Sequence, residues 1–346
     1  MNHNTPLSPR PLHDLSGHGR LRVMTVTQLH AHGVPTARTN EQCRPGGPWQ
    51  LFLPGVVLLH PGPPTSEERL HAVLLYASRE RGTGVPTQPG AGESPAPAYP
   101  DAMITGLAAL TLHGFSSTPP LPSLEAIDVL VPRMRRLRSA GCARVVRGTA
   151  LPAPEQVTGL PVAPVARALA DAVAELQDAG VVRRLMTEAV RGAHCEAAAV
   201  VRELNQARLL SRPHVVDAVE SLLAEGRARA EDRLYRMVRE YGLPDPLWNV
   251  DLRLPGGPYL GGLDAYWPEQ AVALELDTRA PRQADDTVWS EYTRKREHLE
   301  RLGITVVHIT PRKLRDSMEQ QATVIRTALM ASSDRDPAAY VVALPR

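Results

Sequence analysis

The chain has 346 residues, with 39 Lys+Arg against 37 Asp+Glu, 43% hydrophobic positions, 33 Pro and 25 Gly. At roughly 100–200 residues per domain this length predicts two or three domains with real cores, and it excludes a disulfide-stapled miniprotein, a coiled coil and a collagen-like fibre. No apolar run approaches the roughly 18–20 residues that span a bilayer, and residues 1–20 lack the apolar stretch of a signal peptide, so a cytoplasmic protein without a membrane partner is expected.

Cys43, Cys142 and Cys195 are odd in number and unclustered, which predicts reduced thiols and excludes a CxxC zinc site. Charge is unevenly spread: residues 1–150 hold 14 Arg against 9 acids, and the remainder carries a slight acidic excess. The lysines are Lys295 and Lys313 alone, so nearly every cation is an arginine, suited to bidentate contacts with phosphate or guanine. A GC-rich genome produces the same bias, so composition by itself does not establish nucleic-acid binding.

In chain order, residues 1–20 are Pro/His-rich without periodicity and are expected to be disordered. Thr25 or Thr27 caps a short helix that Gly33 ends, Pro35 and Thr36 open a second helix over 36–43, and two short strands flank a type II turn at Pro54-Gly55. Helix, turn, helix and a two-stranded wing predict a winged helix-turn-helix over 21–81, closed by an amphipathic helix over 66–76 with Leu70, Val73 and Leu74 on one face. Thr36, Arg38, Thr39, Asn40, Gln42 and Arg44 lie on or just after the recognition helix, where Arg suits guanine and Asn or Gln suits adenine. The alternative is a winged helix that binds protein.

Residues 82–100 read as a Pro/Gly-rich loop or linker. A mixed α+β middle domain is expected over 101–224, with a helix at 102–114, strands at 127–131 and 144–147, a helix at 165–176 and more helix between 181 and 223. Its basic run of Arg133, Arg135, Arg136 and Arg138, with Arg144 and Arg147 beyond, either neutralises phosphates and makes affinity salt-dependent or is a solvated turn. Residues 225–332 then give a helix over 227–241, stopped at Gly242 with Pro244 beyond it. Strands at 247–254, 259–267 and 271–277, a helix over 288–302, a strand at 304–309 and a helix over 312–331 complete an αβββαβα order, with 333–346 as a tail. The connection between the third and fourth strands is long enough to make them parallel.

Alternation along Val272-Ala-Leu-Glu-Leu-Asp277 puts Glu275 and Asp277 on one side of a strand. A short hairpin brings Asp264 towards Glu275, and Glu231 on the preceding helix adds a fourth carboxylate. Such a cluster needs cations or protons to offset its charge, which makes Asp264, Glu275 and Glu231 a candidate site for Mg²⁺ or Mn²⁺, with Lys295 or Arg296 offsetting phosphate charge. The bland alternative is an exposed edge with dispersed acids. His30, His32 and His113 are scattered, and no GxxxxGK[ST], GxSxG or HExxH motif occurs.

The αβββαβ order with Asp in one strand and Glu-x-Asp in the next resembles the PD-(D/E)XK nuclease superfamily, closest to its very-short-patch-repair-like branch. The segments carrying this are Gly242-Leu-Pro-Asp-Pro-Leu-Trp-Asn249, Leu263-Asp-Ala-Tyr-Trp-Pro-Glu269, Ala273-Leu-Glu-Leu-Asp277 and Gly303-Ile-Thr-Val-Val-His-Ile-Thr-Pro311. The front resembles AbiEi-like antitoxin regulators of actinobacterial type, on Trp49-Gln-Leu-Phe-Leu-Pro-Gly-Val-Val57, Ile104-Thr-Gly-Leu-Ala-Ala-Leu-Thr-Leu-His-Gly114 and Gly159-Leu-Pro-Val-Ala-Pro-Val-Ala-Arg-Ala-Leu-Ala-Asp171.

The resemblance implies Asp264 and Glu275 as metal ligands, Asp277 as a further site residue, and Lys295 as a migrated catalytic lysine, because Asp277 stands where that superfamily carries its lysine. The stretch Thr278-Arg-Ala-Pro-Arg282 also lacks the histidine usual there. The expected function is therefore a DNA-binding, antitoxin-like regulator on a degenerate nuclease-like domain, with double-stranded DNA, a cognate toxin and a second copy of the chain as partners. The alternatives are a Mg²⁺-dependent endonuclease targeted by its winged helix and a protein-interaction scaffold.

Overall fold

The computed structural model describes residues 22–78, 99–278, 286–332 and 341–346, with the main chain alone over 286–292. The disorder expected for 1–20 and nearly all of the linker expected over 82–100 lie outside the described residues. Those residues form a mixed α+β, multidomain chain with three sheets and eleven α-helices. Two compact units divide at 177/178, in place of the boundaries expected near 81 and 224.

The first unit opens with β1 (Val23–Thr25), α1 (Val26–Ala31), α2 (Thr36–Gln42), β2 (Gln50–Leu53) and β3 (Val56–Leu58), the strands forming an antiparallel sheet in the order β1-β3-β2. Thr25 starts α1 with a reciprocal cap: its hydroxyl accepts from the Gln28 amide at 3.0 Å while the Gln28 side chain accepts from the Thr25 amide at 2.8 Å. Such a cap contributes about 1 kcal/mol. The β2–β3 turn needs a left-handed residue, and Gly55 supplies it at φ 78°. Met24, Leu29, Val34 and Val57 fill the space beneath.

Helix α3 (Ser66–Ser78) is buried at every position from Leu70 to Ser78 rather than along one face. The reason is that it packs against both the small sheet and the next one, which makes residues 22–78 and 99–177 a single body. That next sheet has β4 (Met103–Thr105), β5 (Ile127–Pro132), β6 (Ala143–Gly148), β7 (Glu155–Val157) and β8 (Leu160–Val162) in the order β6-β5-β4-β8-β7, with α4 (Gly106–Leu112) and α5 (Val165–Glu175). The helix expected over 102–114 is thus a strand followed by a shorter helix, because Met103-Ile104-Thr105 pairs with β5 on one side and β8 on the other.

The second unit begins with α6 (Ala179–Arg191), α7 (Ala197–Gln206) and α8 (Pro213–Glu240). Helix α8 runs unbroken through the expected 224/225 boundary and packs on α6 and α7 as well as on two later helices, at 311–316 and 318–332, so helices assigned to the middle domain belong here. The sheet follows: β9 (Leu247–Arg253), β10 (Tyr259–Trp267), β11 (Val272–Leu276), α9 (Asp286–Arg301), β12 (Thr305–Ile309), α10 (Pro311–Asp316), α11 (Met318–Ser332) and β13 (Val342–Pro345). Strand order is β12-β11-β10-β9-β13, with β11 and β12 parallel and the other pairs antiparallel.

The expected tail contributes β13, an edge strand on β9. Val272, Leu274 and Leu276 face a core shared with Leu234 and Met237 of α8 and Ile325 of α11, while Ala273 joins Leu299 of α9 on the opposite side. That alternation leaves Glu275 on the side of α9.

Candidate functional site

In the first unit α2 presents Thr36, Arg38 and Asn40 to solvent, Gln42 half-buried and Arg44 exposed just beyond, while Thr39 is buried. At about 100° per residue, Thr36 and Asn40 flank the buried stripe on one side and Arg38 and Gln42 on the other, with Glu41 on the outer face. These four residues therefore form two edges rather than one. Beyond the helix, the Gln42 carbonyl accepts from the Trp49 amide at 3.1 Å, which fixes the way into the β2–β3 hairpin.

The second basic run is the β5–β6 loop, and its main chain is clasped. Arg133 donates its amide to the Gly148 carbonyl at 2.8 Å, Arg135 to that of Pro132 at 2.9 Å and Leu137 to that of Arg135 at 3.0 Å. The Tyr76 hydroxyl donates to the Arg138 carbonyl at 2.6 Å, and the Arg147 guanidinium to the carbonyls of Arg135 and Leu137. Leu137 is buried beneath, and Gly141 lies against Leu53 of the hairpin.

Arg147 thus braces the loop instead of facing a ligand. Arg144 likewise holds Asp128 through Nη2 at 2.7 Å and Glu175 at 2.9 Å. Burial raises the Asp128 pKa against the pull of Arg144. Arg133, Arg136 and Arg138 remain exposed, and among the described residues no carboxylate pairs with them. Arg135 is half-buried.

In the second unit the acidic residues are drawn apart by cations. Asp264, 8% exposed, accepts from Arg227 Nη2 at 2.6 Å through Oδ1 and from the Leu276 amide at 2.6 Å through Oδ2. Arg227 also donates to Glu231 at 2.8 Å, so Glu231 reaches Asp264 only through that guanidinium. Glu275, 7% exposed, is paired through Oε1 with Lys295 Nζ on α9, and its Oε2 lies 3.6 Å from His308 Nδ1 on β12. Lys295 Nζ also donates to the Gly262 carbonyl at 2.8 Å.

Gly261, at φ 138°, makes this possible, since a Cβ there would collide with the lysine stem. Gly262 similarly leaves room for the Arg346 guanidinium, which pairs with Asp251 at 3.2 Å. Asp277 follows β11, donates its amide to the Ile309 carbonyl at 2.9 Å, and its charge acts on His308. Burial lowers the His308 pKa, outweighing the opposing charges of Glu275 and Asp277.

The proposed ligand set is taken up here by the chain's own donors: Arg227 and the Leu276 amide hold Asp264, Lys295 holds Glu275, and Arg227 holds Glu231. Among the described residues no three His, Cys, Asp or Glu side chains are grouped to hold a metal ion. Arg296, the other proposed phosphate partner, donates to Glu300 at 2.7 Å.

Sequence reading missed Arg227 and His308. Arg227 stands one helical turn before Glu231, and His308 alternates with the buried Val307 and Ile309, signals that place each side chain without naming its partner. Among the described residues no helix is long and apolar enough to cross a membrane. No protein-family model matches the chain, and no curated protein matches it.

Proposed function

We propose that this chain is a double-stranded-DNA-binding regulator whose C-terminal unit has a nuclease-like core that binds without cutting. In this reading residues 22–58 are a winged helix-turn-helix, α2 is its recognition helix, the β2–β3 hairpin is its wing, and the β5–β6 loop grips phosphates. The carrying observation is that arginines on and just after α2 and on the β5–β6 loop are exposed, while the acids of the C-terminal site are closed by cations. Arg38, Arg44, Arg133, Arg136 and Arg138 are exposed without a carboxylate partner among the described residues, whereas Arg227 is closed on Asp264.

Exposed arginines keep their charge for phosphates and base edges. A carboxylate already neutralised by the chain has little left for a metal. With both acids clamped and Asp277 at the superfamily's lysine position, the C-terminal unit reads as a PD-(D/E)XK-type core without metal-dependent cleavage. The antitoxin-like version adds a cognate toxin as protein partner and a homodimer that meets two half-sites about one helical turn apart.

The test is anisotropy of a labelled mixed-sequence duplex, titrated with the full chain between about 50 and 200 mM salt. Binding that weakens steeply with salt, and weakens further in Arg38→Ala and Arg44→Ala, supports the reading. Absence of duplex binding at low salt overturns it.

A further inference from the structure

Met134 is 87% exposed, more than any other large apolar side chain among the described residues. A thioether chain left in water forgoes roughly 1.5–3 kcal/mol of burial, and solitary exposed apolar residues are usually unremarkable. The setting of this one is specific. It stands in the sequence Arg133-Met134-Arg135-Arg136, on a loop whose main chain is held by the Gly148 and Pro132 carbonyls, the Tyr76 hydroxyl and the Arg147 guanidinium, over the buried Leu137.

These hydrogen bonds hold the loop's main chain before any binding, which leaves mainly its side chains to be ordered. A stiff loop that offers one unbranched apolar side chain among arginines matches the chemistry of minor-groove wedges. In those, cations hold the flanking phosphates while an apolar group slips between two base pairs and partly unstacks them. One methionine buries too little area to hold a bilayer surface or to found a protein interface.

We propose that the β5–β6 loop is a second DNA contact of this kind: Met134 inserts at a base step and bends the duplex, and Arg133, Arg136 and Arg138 hold the phosphates around it. This rests on the DNA-binding reading above and adds a deformation that the recognition helix alone does not require. Flexible pyrimidine–purine steps are the sequences it favours, since they unstack at least cost. The loop and α2 belong to one compact unit.

The experiment uses the full chain and a duplex of about 30 base pairs containing TA and CA steps, labelled at its two ends for energy transfer. The wild type and Met134→Leu should bring the ends together, by a bend of about 20–90°. Met134→Gln, a polar side chain of similar length at an exposed position, should bind with the bend lost, an unchanged salt slope and several-fold faster dissociation. Arg133→Ala/Arg136→Ala/Arg138→Ala should lower the salt slope by about 2–3.

A bend that is equal in Met134→Gln, or absent from a wild type that still binds, overturns the wedge and leaves the DNA-binding reading standing. A wild type that binds no duplex at low salt overturns both. Phosphatidylserine vesicles are the control: Met134-dependent binding to them, with duplex binding indifferent to Met134, reassigns the loop to a lipid surface and overturns the proposal.

Discussion

The pairing of Arg227 with Asp264 makes a quantitative prediction. Asp264 is buried, with one oxygen 2.6 Å from Arg227 Nη2 and the other 2.6 Å from the Leu276 amide. Removing one member of a buried ion pair costs about 3–5 kcal/mol, because the other charge is left uncompensated. The Arg227 side chain is 42% exposed, and water screening reduces the expected cost of Arg227→Ala to about 2 kcal/mol.

Asp264→Ala strands the buried Leu276 amide at about 1–3 kcal/mol, while Arg227 keeps Glu231 and solvent. The double variant leaves no stranded carboxylate, so the two losses should overlap by about 1.5 kcal/mol. Hydrogen exchange of peptides spanning 259–276, followed across a urea series, reads this unit by itself. An overlap below about 0.5 kcal/mol would show that the carboxylate is not held by the guanidinium, and the closed-site reasoning would fall.

Other consequences follow from the same contacts. Arg227→Ala/Lys295→Ala should release both acids and gain Mn²⁺ binding by calorimetry that the wild type lacks; equal behaviour of the two proteins would count against the clamps. Arg144→Ala strands the buried Asp128 carboxylate and should cost the first unit about 2–3 kcal/mol, read by urea denaturation; a loss within about 0.5 kcal/mol would contradict the pairing.

Glu68, 3% exposed, accepts from the Thr65 amide at 2.8 Å and lies 3.1 Å from His60 Nε2. Burial pushes its pKa up, yet the Thr65 hydrogen bonds with the His60 and Arg22 charges outweigh this and leave it lowered. A lowered carboxyl pKa stabilises the fold above the unfolded value of about 4.3, and that contribution is lost as pH falls through the folded value. The unfolding midpoint should therefore drop between about pH 5 and pH 3, and less steeply in Glu68→Gln; parallel curves would contradict the assignment.

Local signals made much of this fold legible. Thr25, Gly33 and the Pro54-Gly55 pair mark the ends of the first elements, and alternation along 272–277 separates the faces of β11. Sequence reading missed β4 because Met103-Ile104-Thr105 runs straight into the apolar stretch of α4 and becomes a strand only through partners at 128–130 and 162. The β7–β8 hairpin was hidden by its shortness and by Pro161.

The boundary expected at 224/225 falls inside α8, whose first half packs on α6 and α7 and whose second half joins the core under the sheet, whereas the units divide at 177/178. At the acidic site the carboxylates were readable from strand alternation. Of their cations, Lys295 was read into the site as a phosphate partner rather than as the partner of Glu275, 20 residues away, and Arg227, 37 residues from Asp264, was not read into it at all, because only the fold makes those pairs.

The most direct test of the account is one gel of the purified chain with supercoiled plasmid and linear duplex at low salt, in Mg²⁺, Mn²⁺ or EDTA, beside Glu275→Ala. The account predicts retarded but intact DNA in every lane, with the variant behaving as the wild type. Nicking or cutting that needs the metal and disappears in Glu275→Ala would contradict it and make Asp264 and Glu275 the ligands of a working nuclease.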